Sequence, residues 1–261
     1  MKTQQIKYYF FSLFVFLIGC KTPDSTVSKH RDTAIVVTAD ITSVQPAING
    51  TPLHSLLRPD EVLLTGEQYT NTVIFILHNS NPDDWYMLVK SGKDTIDLLY
   101  NDRVSGLHMG DTITIRWKMQ MFEPAGDPEA RYIRETLVDF TKKSEGNLSR
   151  FLRSNKQKIQ AMYEVDITEG YKEELDEMVK FYLANTANNT VKSIFTRPET
   201  PLLYTASKSD RDGKEYYAIA LGLNGKDKLT NEHHIYIDPA GVCAIFDYDV
   251  ADDHLTRWVS P

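Results

Sequence analysis

Thr112-Ile113-Thr114-Ile115-Arg116-Trp117-Lys118-Met119 is the stretch whose reading decides the fold. Its residues alternate. Ile113, Ile115, Trp117 and Met119 fall on one side and Thr112, Thr114, Arg116 and Lys118 on the other, the period of a strand with one face in a core and one in solvent. Further strands lie to either side. Ala34 to Ile41 is apolar and β-branched, and a loop with Pro46, Gly50, Pro52 and Pro59 follows it. Thr72-Val73-Ile74-Phe75-Ile76-Leu77-His78 is the next strand. Trp85 to Lys90 then pairs with Thr95 to Tyr100 across Ser91-Gly92-Lys93-Asp94, and Tyr132 to Phe140 supplies one more strand. Five or six short strands with no long helix between them predict a small all-β barrel or sandwich.

The turn Gly110-Asp111, which opens the alternating strand, resembles the turn leading into the fourth strand of OB-type barrels. That resemblance implies a partly open Greek-key barrel, an architecture that binds extended ligands across one face. Strand spacing alone leaves an immunoglobulin-like or lipocalin-like sheet as the alternative.

Beyond Lys142-Lys143-Ser144-Glu145-Gly146-Asn147 the periodicity changes. Ser149 to Met162 and Lys172 to Leu183 carry apolar residues at helical spacing, and Glu173, Glu174, Asp176 and Glu177 load the start of the second with acid, where the helix dipole favours it. Strands then return: Leu202 to Ala206 and Glu215 to Leu221 flank an Asp212-Gly213 turn, and His233 to Asp238 and Val242 to Tyr248 flank Pro239-Ala240-Gly241. The expected architecture is mixed, an amino-terminal barrel (residues 33–141) followed by an α+β domain (148–261) of two helices on an antiparallel meander of about four strands.

The amino end has its own logic. Lys2 and Lys7 precede the apolar run Tyr8 to Ile18, which is of signal-peptide length and about half what a membrane span needs. It ends in Leu17-Ile18-Gly19-Cys20, which resembles the lipobox of bacterial lipoproteins. The resemblance implies removal of residues 1–19, lipidation of Cys20, a polar tether over 20–32 and attachment to the membrane of the cell envelope through acyl chains. Lys21 after the cysteine favours the outer over the inner membrane. With Cys20 carrying lipid, Cys243 has no partner for an intramolecular disulfide, and its apolar setting reads as a buried strand residue.

With 41% hydrophobic and 25% charged residues, the chain is able to build a sizeable core, and a net charge of −7 excludes a general nucleic-acid binder. Catalytic and phosphate-binding motifs are missing, and neither a metal nor a cofactor is expected. His233 and His234 are adjacent on a strand and point to opposite faces, so they do not share an ion. The acidic run Asp247, Asp249, Asp252 and Asp253 lacks the glycine of a calcium loop and reads as solvated. What remains for ligand binding is the basic outer pair Arg116 and Lys118, with Trp85 and Tyr86 as aromatic platforms; Trp117 shares the aromatic signal but lies on the apolar side. These features predict a membrane-anchored binding or interaction module for an envelope protein or glycan. An inhibitor or immunity-type lipoprotein is the alternative, and an envelope hydrolase a more remote one.

Overall fold

In the computed structural model, the alternating stretch is a strand enclosed on one side, with Ile113, Ile115 and Trp117 fully buried and Arg116 in solvent. The structure describes residues 52–80, 85–124, 131–195, 199–224, 229–240 and 244–260. The signal-type segment, Cys20, the tether, the strand expected at 34–41 and Cys243 lie outside the described residues.

The first strands are β1 (Leu53–Ser55) and β2 (Arg58–Leu63), a two-stranded hairpin. Next come β3 (Gln68–Ser80), β4 (Trp85–Ser91), β5 (Asp94–Leu99), β6 (Thr112–Phe122) and β7 (Tyr132–Ser144), which close into a barrel in the order β3-β4-β5-β7-β6. The last strand inserts between the third and the fourth. The β3–β4, β4–β5, β3–β6 and β6–β7 pairs are antiparallel, and the barrel closes through the parallel pairing of Leu99 with Thr136. This is the OB-like Greek-key closure that Gly110-Asp111 pointed to, with β6 as its fourth strand.

The loop expected around Pro52 and Pro59 is in part the β1–β2 hairpin. Both of its strands are edges, where a proline is tolerated, and Leu57 and Leu63 are buried in the barrel core. Asn71 pins the hairpin there. Its amide Nδ2 donates to the Leu57 carbonyl at 3.0 Å, while its Oδ1 accepts from the Trp117 indole at 2.9 Å and from Arg58 Nε at 3.2 Å.

The second half consists of α1 (Asn147–Ser154), β8 (Ile159–Tyr163), α2 (Glu169–Asn185), α3 (Asn189–Ile194), β9 (Leu202–Arg211), β10 (Lys214–Asn224), β11 (Leu229–Asp238), β12 (Ala244–Asp249) and β13 (His254–Arg257). Strands β9 to β12 are the expected antiparallel meander, in a six-stranded sheet of order β13-β12-β11-β10-β9-β8. The Asp212-Gly213 turn has both residues at positive φ, 55° and 74°, the twist that a tight hairpin needs.

Two helical expectations are corrected. The helix expected over 149–162 stops at Ser154, and Ile159–Tyr163 is a strand parallel to β9. Asn155 turns extended, and Ile159 and Tyr163 pack on the core from a strand laddered to β9; the spacing of Ile159 and Met162 from Phe151 and Leu152 matched a helix by coincidence. The short helix α3 was not foreseen. Its signal was Asn188, whose side chain caps the backbone N–H groups of Thr190 and Val191.

Within the unit formed by residues 48–261, two cores are distinct. One fills the barrel around Trp117, Met87 and Leu98. In the other, Leu175, Met178, Val179 and Tyr182 of α2 lie on Tyr204, Ile219, Leu221, Ile235 and Ile237 of the sheet. The two halves meet at the Gly110-Asp111 turn. Asp111, fully enclosed, accepts from the Gly146 N–H at 2.7 Å, the Ser149 hydroxyl at 2.7 Å and the His108 N–H at 2.9 Å, and pairs with Lys142 at 2.7 Å.

Gly110, at φ +90°, has its backbone against Gly146: a Cβ on Gly146 would stand 2.4 Å from the Gly110 carbonyl oxygen. Backbone cannot swing aside as a side chain can, so Gly146→Ala should destabilise by about 1–3 kcal/mol through overpacking. Urea unfolding checks this, and a midpoint equal to that of the unsubstituted chain would mean that the two backbones are not in contact.

Candidate functional site

The amino-terminal half of α2 lies across the barrel, and between them runs a cleft of about 740 Å³, within the usual size of small-ligand pockets. Three segments build it. The first is β3 beyond its register shift between Phe75 and Leu77, the second is the loop before β6, and the third is the side of α2 that carries Gly170, Glu173, Glu174 and Glu177. Phe75, Leu77, Val104, Leu107 and Met109 give it an apolar side and Glu173, Glu174 and Glu177 an acidic one, and no lysine or arginine is among the lining residues.

Three polar groups in the cleft differ in what they have to do. Glu177 is engaged: its Oε1 accepts from the Met109 N–H at 2.9 Å and lies 3.2 Å from His108 Nδ1, tying the loop to the helix. Glu174 is partly buried and has no hydrogen bond or ion pair with any described residue; burial alone pushes its carboxyl above the usual range. The third is His78, whose Nε2 is shut off from solvent without a partner among the described residues. Burial lowers the pKa of His78, and a hydrogen bond to the Tyr100 backbone opposes that shift.

The acids expected to load the helix start are therefore placed otherwise. Only Glu169 sits in the first turn, behind the Thr168 cap, and Glu173, Glu174 and Glu177 recur at helical spacing on the side facing the barrel.

Of the residues singled out from sequence, Trp85 and Tyr86 adjoin this cleft from β4. The Trp85 ring meets His78 edge-on at 6.0 Å, and Tyr86 OH accepts from Asn79 Nδ2 at 2.8 Å. Arg116 and Lys118 lie elsewhere, on the outside of β6. Arg116 is exposed but not free, because Asp139 on β7 takes its Nε at 2.8 and 2.9 Å and a second nitrogen besides. Lys118 lines a smaller groove of about 370 Å³ beside Tyr100, Asp102, Gln120 and Phe122. Trp117 is a core residue.

The two adjacent histidines diverge, as strand geometry requires. His233 faces α2, 2.8 Å from Tyr182 OH and 3.1 Å from Asp247, while His234 lies against the Tyr248 ring on the other side of the sheet. Burial foremost, helped by the Asp247 carboxylate, pushes the Tyr182 hydroxyl far above its ordinary range, which makes it a fixed hydrogen-bond donor rather than a base. The acidic run is spent on structure: Asp249 caps the turn at Ala251, and Asp253 holds Arg211 and Tyr248. Among the described residues, no three His, Cys, Asp or Glu side chains gather as a metal site would need.

No known protein family matches the chain, and no curated protein does either. Among solved structures, it is similar to a putative aspartyl-tRNA synthetase from Leishmania major Friedlin at 10% identity and a TM-score of 0.26, over 70% of this chain and 49% of that one. It is also similar to the aspartyl tRNA synthetase from Entamoeba histolytica at 8% identity and a TM-score of 0.25, over 70% of this chain and 53% of that one. The chain spans about half the length of these two proteins.

Proposed function

We propose that this chain is a binding module of the bacterial cell envelope, held on the outer membrane by lipid on Cys20, and that it docks a protein or glycan partner in the cleft between the barrel and α2. The observation that supports this reading is a cavity of ligand size in which one carboxylate, Glu174, is partly buried and bonded to no described residue. A carboxylate left in that state costs free energy in the free protein, and a ligand that supplies its hydrogen bonds recovers it. For the anchor, the support is the lipobox. No helix among the described residues is long and apolar enough to cross a membrane.

One variant separates binding from folding. Gly170 lines the cleft on α2, and a Cβ there meets nothing within 4 Å, so Gly170→Trp should fill the opening without disturbing the core. Photocrosslinking of the full chain in envelope preparations should give a defined adduct that Gly170→Trp lacks, while Cys20→Ser moves the protein out of the membrane fraction. Identical adducts with and without the tryptophan would remove the cleft from the reading, and a Cys20→Ser form that stays with the membrane would remove the anchor.

A further inference from the structure

Resting on that reading, we infer that the group received by the cleft is the guanidinium of an arginine on a polypeptide partner, its head against Glu174 on the acidic side and its aliphatic stem along Val104, Leu107 and Met109. An anion is disfavoured, since the lining holds three glutamates and no cation of its own. A metal ion is disfavoured as well, because no cluster of metal-ligating side chains exists among the described residues and Glu177 is already bonded to the loop. A neutral sugar would leave the Glu174 carboxylate desolvated without a counter-charge, at a cost of the kind that normally forces pairing or protonation.

A cationic donor answers the open carboxylate. The Glu174 carboxylate accepts at two oxygens, and a guanidinium offers five N–H donors in a planar fork that matches a carboxylate two bonds at a time. Its stem is apolar and packs on apolar surface while the head remains polar, matching the division of the lining into an apolar stretch and an acidic side. The volume argues for a polypeptide rather than a free small cation: about 740 Å³ exceeds what one side chain fills, leaving space for the residues flanking the arginine.

The test uses the full chain and a short peptide, acetylated and amidated, in which arginine alternates with leucine. Its control is the same peptide with citrulline, which keeps the shape of arginine and removes the charge. By titration calorimetry the arginine peptide should bind, and the citrulline peptide should bind at least about tenfold more weakly, as expected for loss of a charge-assisted bond. Glu174→Gln should cut arginine-peptide affinity by about tenfold and bring the two peptides close together, with its urea midpoint unmoved. Gly170→Trp should abolish both. Equal affinity for the two peptides, wild-type affinity in Glu174→Gln, or no binding of the arginine peptide up to about 1 mM would each overturn the assignment. If the peptides fail while the envelope adduct still depends on Gly170, the binding module stands and only its ligand chemistry is wrong.

Discussion

Replacing Asp111 with alanine should lower the unfolding free energy by about 3 kcal/mol, the lower end of what breaking a buried charge pair costs. The carboxylate is fully enclosed and is the shared partner of the Gly146 and His108 N–H groups, the Ser149 hydroxyl and Lys142. Its removal orphans the buried N–H groups as well as the cation. The figure stays at the lower end because the Lys142 side chain is 29% exposed and keeps part of its hydration. A pH dependence goes with the loss. Burial would push the Asp111 pKa up, but Lys142, the two N–H groups and Ser149 together outweigh it, and the net shift is downward. A depressed carboxylate binds fewer protons in the folded state. Its contribution is therefore full above the unfolded value of about 3.9 and is lost as pH falls through the lower folded value. Urea unfolding of the wild-type chain and Asp111→Ala across the acid range should show their difference shrinking in that window. A difference that does not change with pH would mean the charge is not what holds the joint.

Trp117→Ala should cost about 3–5 kcal/mol, the range for emptying a fully buried aromatic site. The indole has no solvent exposure, stands 5.2 Å from the Tyr69 ring and donates to Asn71, which also fastens the β1–β2 hairpin. Trp117→Phe keeps most of the volume and removes the donor, so its cost should be smaller and combine the lost hydrogen bond with the small cavity left behind. Following barrel and helix–sheet amides separately through the unfolding of Trp117→Ala also tests whether residues 33–141 and 148–261 are separate domains. Loss of the barrel alone would support two units, and a single shared transition would mean that the Asp111 joint couples them. A total cost below about 1 kcal/mol would mean that the site collapses around the deletion.

The parts of the fold that showed in the sequence were those set by short-range periodicity. The strand at 112–119, the hairpin at 85–100 and the meander from β9 to β12 announced themselves through alternation and turn residues, and α2 through its apolar stripe. Which strands become neighbours is a long-range outcome, so the insertion of β7 between β5 and β6 had only Gly110-Asp111 as its local sign. Short segments were ambiguous for a related reason: five residues such as Ile159 to Tyr163 fit either period when preceded by a real helix turn. The cleft was hidden differently. Glu173, Glu174 and Glu177 were visible at helical spacing, but an acidic stripe on a helix ordinarily meets water, and only the barrel lying opposite changes its meaning. His78 looked like the last residue of a strand and nothing more. The alternation that made Arg116 and Lys118 stand out says nothing of Asp139, which the fold brings alongside from another strand.

The six-stranded sheet ends on β13 and β8, four and five residues long, beside interior strands of six to eleven. Unpaired strand edges are templates on which copies of a protein add to one another, and short edges limit the ladder such an addition can form. The consequence is sharpest for a protein confined to a surface, where neighbours meet far more often than in free solution. Among the described residues, the longest strands lie in the interior of the sheet or are closed into a barrel, so the six-stranded sheet offers little edge backbone for self-association, as display at high density on the proposed anchor would require.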